Sequence, residues 1–313
     1  MPEQKPDSGS SYLRAMVLLG GRDLDEEQQA LVDELVGANP GWFLERVTDE
    51  WGPVELARRG VEAGAELIVA AGGDGTVSAV AEAVAGRGVP MAILPFGTAN
   101  DFARTLSVAT LDEARRALAL GHIVDADGVR VETREGVEHF VLNVANGGLA
   151  WDIGDSLDDD TKGAWGPLAY ARGALDVIGH PTVHTVRVQV DDELPREERV
   201  LTVAVSSGRT CGGGLILAPT GDPQDGLLEV TLLLEAPPGA VAALAARMRV
   251  ADVETDDGLV RLRGRSVSVE SDPPMRFVLD GELAEEHPTR FSVLPGAVRI
   301  HVGEHYTREP ALA

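Results

Sequence analysis

Lysine is nearly absent from this chain. Only Lys5 and Lys162 occur, so 25 of the 27 basic residues are arginine. A Walker A loop needs Gly-Lys-Ser/Thr, and neither lysine follows a glycine. The protein-kinase signature needs a strand lysine and a His-Arg-Asp loop; no strand-like run carries a lysine, and the single Arg-Asp pair, Arg22-Asp23, comes too early. Cysteine is limited to Cys211, which excludes an intramolecular disulfide and a Cys-based zinc knuckle. No apolar run approaches the ~18 residues of a membrane span, and Met1–Ser11 lacks the apolar core of a signal peptide. Aromatic residues make up only 4%, so the cores must rest on Val, Leu and Ala. Basic residues are outnumbered 27 to 51 by acidic ones, a net charge of −24. That balance opposes nucleic-acid binding and sustained adsorption to anionic lipid. The expectation is a soluble, cytoplasmic protein.

What is present divides into two styles. Over 12–121, short apolar runs alternate with amphipathic stretches: strands at 13–19, 43–48, 67–71 and 91–94, with helices between them. Asp23 with Glu26, and Thr110 with Glu113, have the spacing of capping boxes, and Pro53 suits a first helical turn. The pattern predicts a doubly wound α/β domain. Over 122–305 the runs become strand-like, at 123–131, 139–144, 183–190, 200–206, 227–234, 260–269, 275–279 and 298–302. Helical patterning returns only near 162–178 and 238–249. The expectation is a β-rich, β-sandwich-like second domain, about two domains in all for 313 residues, with the first ten residues disordered.

Two strand–loop–helix junctions carry the chemistry. Gly72-Gly73-Asp74-Gly75-Thr76 lies between an apolar run and a helix, where glycines let the backbone approach an anion. The same glycines also serve a tight turn. A carboxylate at Asp74 suits phosphoryl transfer with a metal or a proton to handle. A dinucleotide Gly-x-Gly-x-x-Gly is not formed, because its third position falls on Ser78. The second junction is Leu94-Pro95-Phe96-Gly97-Thr98-Ala99-Asn100-Asp101-Phe102-Ala103-Arg104, in which Asn100 or Asp101 also reads as a helix cap.

In that order, the two junctions closely resemble the diacylglycerol kinase catalytic domain, a family that includes soluble bacterial diacylglycerol and YegS-like lipid kinases and the sphingosine kinases. The resemblance continues through Phe140–Gly148, through Lys162, Gly166, Leu168 and Tyr170, and through Cys211–Gly214, Asp222–Leu228 and Asp280-Gly281-Glu282. It implies an ATP-dependent lipid kinase of phospholipid biosynthesis, with a nucleotide-binding α/β domain, a β-sandwich domain and an active site in the cleft between them. Thr48, Gly72, Gly73, Asp74, Gly75, Thr76, Val77, Ser78 and Thr98 would contact ATP. Asp222, Asp225 and the Leu227 carbonyl would hold a structural Mg²⁺. Glu282 would be the catalytic base, with Asp74 the alternative. The acceptor would be a lipid, diacylglycerol first, met in transient peripheral contact with a membrane; a homodimer is compatible with the resemblance.

On residue chemistry alone, Asp225 reads equally as an Asp-Gly turn, and Glu282 as the neighbour of a hairpin turn. The chain also departs from the family. The first strand ends Leu18-Leu19-Gly20-Gly21-Arg22 in place of Asn-Pro-x-Ser-Gly, leaving glycine amides and the Arg22 charge for phosphate. Ser78-Ala79 replaces Asn-Glu, and Ser206-Ser207 precedes the glycine turn. Two rival readings stand beside the kinase: a catalytically silent nucleotide- or lipid-binding protein, and a kinase for a soluble hydroxyl acceptor.

Overall fold

The computed structural model describes residues 12–155, 177, 179–249 and 256–308. The N-terminal segment, the helical pattern at 162–176 and Lys162, Gly166, Leu168 and Tyr170 lie outside the described residues. The chain divides into two compact units. One runs to Ala126 and includes Gly296–Thr307; the other comprises Asp127–Pro295 with Arg308 onward. No sequence signal announced the return of 296–307 to the first unit.

The first unit is built on parallel strands β1 (Ala15–Leu19), β2 (Trp42–Arg46), β3 (Leu67–Gly72) and β4 (Met91–Pro95). Their order is β4-β3-β1-β2, and the end of β17 (Pro288–His301) joins beside β4 through Ile300 opposite Met91. Every residue of β1, β3 and β4 is buried. Such continuous apolar runs are what a parallel strand covered on both faces requires. β2 carries Glu45 and Arg46 on an exposed edge, where charge discourages pairing with another chain.

The helices between them are α1 (Glu26–Ala38), α2 (Pro53–Glu62), α3 (Asp74–Val84), α4 (Asp101–Thr105) and α5 (Leu111–Leu120). Thr110 and Glu113 form the capping box of α5. The α1 box differs from the expected one: Asp25 is the cap and Gln28 reaches back to it. Asp25-x-x-Gln28 has the same reciprocal chemistry as Asp23-x-x-Glu26, so spacing alone could not choose between the two registers.

The second unit is antiparallel, with one path ordered β16 (Glu282–Leu283), β15 (Phe277–Leu279), β7 (Val144–Gly148), β9 (Arg196–Ser206), β8 (His184–Val190), β14 (Ser266–Asp272) and β17. β12 (Leu228–Leu234) pairs with β9 and with β13 (Leu259–Gly264), and β5 (Ile123–Thr133) pairs with β17 and with β6 (Glu138–Val141). In β8, Val186, Val188 and Val190 point inward while their neighbours face out, the period-2 pattern of a half-buried strand. They join a core made mostly of valines, with Phe277 and Phe291. A second cluster sets Val144, Ala204 and Cys211 against Leu244 and Met248 of α7 (Pro238–Met248), which follows the short helix α6 (Leu149–Asp155); Cys211 lies in a small hairpin of β10 (Thr210–Cys211) and β11 (Leu215–Ile216).

Two expected strands are each broken in two, and in both cases an aspartate explains the break. The run at 139–144 stops at Val141 because Asp280 takes the amides that would continue the ladder. The run at 260–269 breaks at Arg265, where Asp191 Oδ1 accepts the amides of Arg265 (2.9 Å) and Ser266 (2.8 Å).

Candidate active site

In the first unit, the loops following β1, β3 and β4 meet at the carboxyl ends of three adjacent strands. The Gly20 amide donates to Ala71 O at 3.0 Å and the Phe96 amide to Gly72 O at 3.1 Å, so the loops after β1 and β4 are both stitched to the end of β3. A Cβ on Gly72 would lie 2.5 Å from Thr76 Oγ1, one on Gly20 2.8 Å from the same oxygen, and one on Gly97 2.4 Å from Gly73 Cα. Glycine is required at Gly20 and Gly72 by the Thr76 side chain and at Gly97 by the Gly73 backbone, so the three loops close into a cradle at the strand ends.

Asn100 organises the second loop. Its backbone sits in the left-handed region (φ 50°), Oδ1 accepts the Gly97 amide at 3.0 Å, and Nδ2 donates to Pro95 O and Gly97 O at 3.0 and 2.8 Å. Its side chain makes no cap to α4. That task falls to Asp74, whose Oδ1 accepts the Asp101 amide at 2.8 Å across 27 residues. The sequence suggested no packing role for Asp74; the structure gives it one, tying the two glycine loops together. Gly75 and Ser78 are half-buried on α3, while Val77 is 4% exposed and turned into the core, so only its backbone is available to a ligand. Thr98 is exposed, and so is Thr48, whose hydroxyl accepts the Trp51 amide at 3.2 Å in a turn just beyond β2.

In the second unit, Asp280 and Gly281 both have positive φ (47° and 97°) and join β15 to β16 in a tight hairpin with Leu279 opposite Glu282. Asp280 is buried, and its carboxylate accepts the amides of Leu142 (2.6 Å), Asn143 (2.9 Å) and Val144 (2.8 Å). Glu282, next along, is exposed.

The acidic loop is closed by arginines. Asp222 Oδ1 accepts the Gln224 amide and Oδ2 is held by Arg308 Nε, both at 3.0 Å. Asp225 Oδ1 accepts the Leu227 amide at 2.8 Å and Oδ2 is ion-paired with Arg263. Every oxygen of the two carboxylates is therefore engaged, and the loop charge is balanced by two guanidinium groups. A Mg²⁺ needs near-octahedral oxygen coordination. Asp222, Asp225 and the Leu227 carbonyl would have to give up Arg308 and Arg263 to hold it. Sequence reasoning missed two buried acids here. Asp127, 2% exposed, accepts the Gly226 amide at 2.7 Å. Glu229 lies with Oε1 3.0 Å from Arg263 Nε, near enough for charge attraction but not aligned as a hydrogen bond. Its burial pushes the carboxyl up to about 7, against the opposing pull of Arg261. Neither belongs to a local motif, and only the strand pairing shows that they are buried.

Residues 20–131 match the diacylglycerol kinase catalytic domain, and 153–302 match the YegS C-terminal NAD kinase beta sandwich-like domain. A Pseudomonas putida protein named "Probable lipid kinase YegS-like" is 32% identical over 295 residues, covering 92% of this chain and 95% of that one. Its namesake in Pseudomonas aeruginosa is 37% identical over 270 residues, covering 85% and 87%. The chain belongs to the YegS-like lipid kinases. Solved structures agree at the level of fold. A diacylglycerol kinase from Bacillus anthracis superposes with a TM-score of 0.69 at 18% identity, covering 97% of this chain and all of that one. An NAD kinase from Archaeoglobus fulgidus, in complex with ATP, gives 0.52 at 16% identity, covering 95% and 96%. This YegS-like kinase is thus a phosphotransferase, and the family implies ATP as phosphoryl donor. Among the described residues no helix is long and apolar enough to cross a membrane.

Proposed function

We propose that this YegS-like kinase transfers the γ-phosphoryl group of ATP to a hydroxyl of a lipid, diacylglycerol being the first candidate. The observation that carries the nucleotide half is the stitched cradle of Gly20, Gly72, Gly73 and Gly97 at three adjacent strand ends, with the α3 N-terminus opening onto it. Gly72 to Ser78 through their backbones, with Thr48 and Thr98, line the phosphate and nucleoside positions. Any divalent ion that accompanies ATP arrives with the substrate.

Glu282 is the base. It is exposed, and the tight Asp280-Gly281 turn fixes its place. As the acceptor oxygen bonds to the γ-phosphorus, its proton passes to the Glu282 carboxylate, and the bond to the β,γ-bridging oxygen breaks to release ADP. Asp74 is the weaker candidate because its Oδ1 already holds the Asp101 amide. Contact with the lipid phase is peripheral and transient, consistent with a chain of net charge −24.

The test uses labelled ATP with a panel of lipids and soluble hydroxyl compounds. Phosphoryl transfer to lipid only is expected; transfer to a soluble hydroxyl only, or ATP binding without transfer, would select one of the rival readings. Glu282→Gln should lower kcat by ~10²-fold or more with ATP affinity little changed, the scale of lost general-base catalysis. Asp74→Asn keeps an acceptor for the Asp101 amide and should instead weaken ATP binding. Near-normal turnover in Glu282→Gln, with Asp74→Asn inactive at unchanged ATP affinity, would move the base to Asp74.

A further inference from the structure

We propose that Arg22 is a phosphate-binding residue of the ATP site, supplying by charge what the first loop lacks in hydroxyls. The inference rests on the nucleotide reading above. The loop after β1 contains no Ser or Thr, and the amide of Gly20 is already spent on Ala71 O at 3.0 Å. Arg22 is what remains there with strong donors. Its carbonyl is held by Arg46 Nη1 at 3.1 Å, which fixes the backbone from the neighbouring strand. Its guanidinium reaches over the cradle, with Nη1 donating to Thr98 Oγ1 of the β4 loop at 3.4 Å. Among the described residues no carboxylate pairs with it. Of five guanidinium N–H donors, one is in use and that one is long, so the fork is available for bidentate binding of a phosphate.

Electrostatics points the same way. ATP is strongly anionic and the chain carries −24, so long-range repulsion opposes the encounter unless a cation sits at the site itself. In the stretches 20–22, 46–48, 72–78 and 96–101 the basic residues are Arg22 and Arg46, and of the two it is Arg22 whose guanidinium bonds to the β4 loop, at Thr98. Guanidinium stays protonated at any physiological pH, which makes Arg22 a permanent counter-charge.

Calorimetric titration of the full chain with ATP, ADP and adenosine, for wild type, Arg22→Ala and Arg22→Lys, tests the proposal. Arg22→Ala should weaken ATP and ADP by about tenfold or more while adenosine binds as before, since a charge-assisted phosphate contact is lost and the nucleoside contacts are not. Arg22→Lys should fall between, keeping charge without the fork. Arg22 is exposed, so the melting temperature should not move. ATP binding within twofold of wild type in Arg22→Ala would overturn the role of Arg22 and leave the kinase reading intact. Equal loss of ATP and adenosine would make Arg22 a structural residue and overturn it too. A wild type that binds none of the three would remove the nucleotide reading itself, and Arg22 with it.

Discussion

Removing the Asp280 carboxylate should destabilise the second unit more than any change at Glu282 two residues later. Three backbone amides, of Leu142, Asn143 and Val144, converge on it at 2.6, 2.9 and 2.8 Å in a site 7% exposed. Hydrogen bonds to a charged group are worth about 1.5–3 kcal/mol each, and the terms are not additive when they share an acceptor. Asp280→Ala leaves buried amides unpaired and also places Ala at φ 47°, where Asp is tolerated and Ala strained. A loss of about 3–5 kcal/mol is expected, a large fraction of a domain's typical margin. Asp280→Asn keeps one acceptor oxygen and should cost about 1–2 kcal/mol; Glu282→Gln, on an exposed residue, should stay within about 0.5 kcal/mol.

The assay is amide hydrogen exchange at 142–144 alongside chemical denaturation. Protection of those amides should collapse first in Asp280→Ala, because all three share that carboxylate as acceptor. Asp280→Gly separates the two causes, since glycine relieves the φ strain but offers no acceptor. Wild-type stability and protection in Asp280→Gly would show that the carboxylate contributes little and that the backbone angle decides the site.

Two further outcomes are expected. The native Glu229 carboxyl titrates near 7 against an ordinary value of 4.5, so the unfolded chain releases this proton first as pH rises. Stability from this group is therefore full below about 4.5, falls between about 4.5 and 7 by about 1–3 kcal/mol, and is flat above. Glu229→Gln should remove that slope in pH-dependent urea denaturation, and identical slopes in wild type and variant would refute the assignment. At the acidic loop, millimolar Mg²⁺ or EDTA should leave the wild-type Tm within ~1 °C, whereas Arg308→Ala and Arg263→Ala should each cost about 0.5–1 kcal/mol, the scale of partly exposed ion pairs. A Tm that rises several degrees with Mg²⁺ and loses that response in Asp222→Asn would show that the cation displaces the arginines.

How much of this was legible in the sequence depended on distance along the chain. The glycine loop before α3, the Thr110 capping box and the Asp280-Gly281 hairpin are local, with cause and effect lying within a few residues, and each was readable. Asp25 was misassigned to Asp23 because two equivalent spacings overlap. Long-range partnerships left no trace. Nothing near Asp74 points to Asp101, nothing near Asp280 points to Leu142, and nothing near Glu229 shows that β9 and β13 will enclose it. The buried acids could be found only from the strand register.

The same contrast sharpens how the motif aspartates should be read. Asp74 holds one distant amide and Asp280 three, and Asp222 and Asp225 each fix a backbone amide within their own loop besides an arginine. Asp127 and Asp191 do the same work outside any motif. An acid that satisfies a buried or half-buried amide will look essential when mutated, whether or not it touches a substrate, because the amide left behind carries its own penalty. Loss of activity at Asp74, Asp222, Asp225 or Asp280 is therefore weak evidence for chemistry unless stability is measured alongside. Glu282 is the informative case: it is exposed and its side chain holds no hydrogen bond among the described residues, so a fall in turnover there, at unchanged stability, reports on proton transfer itself.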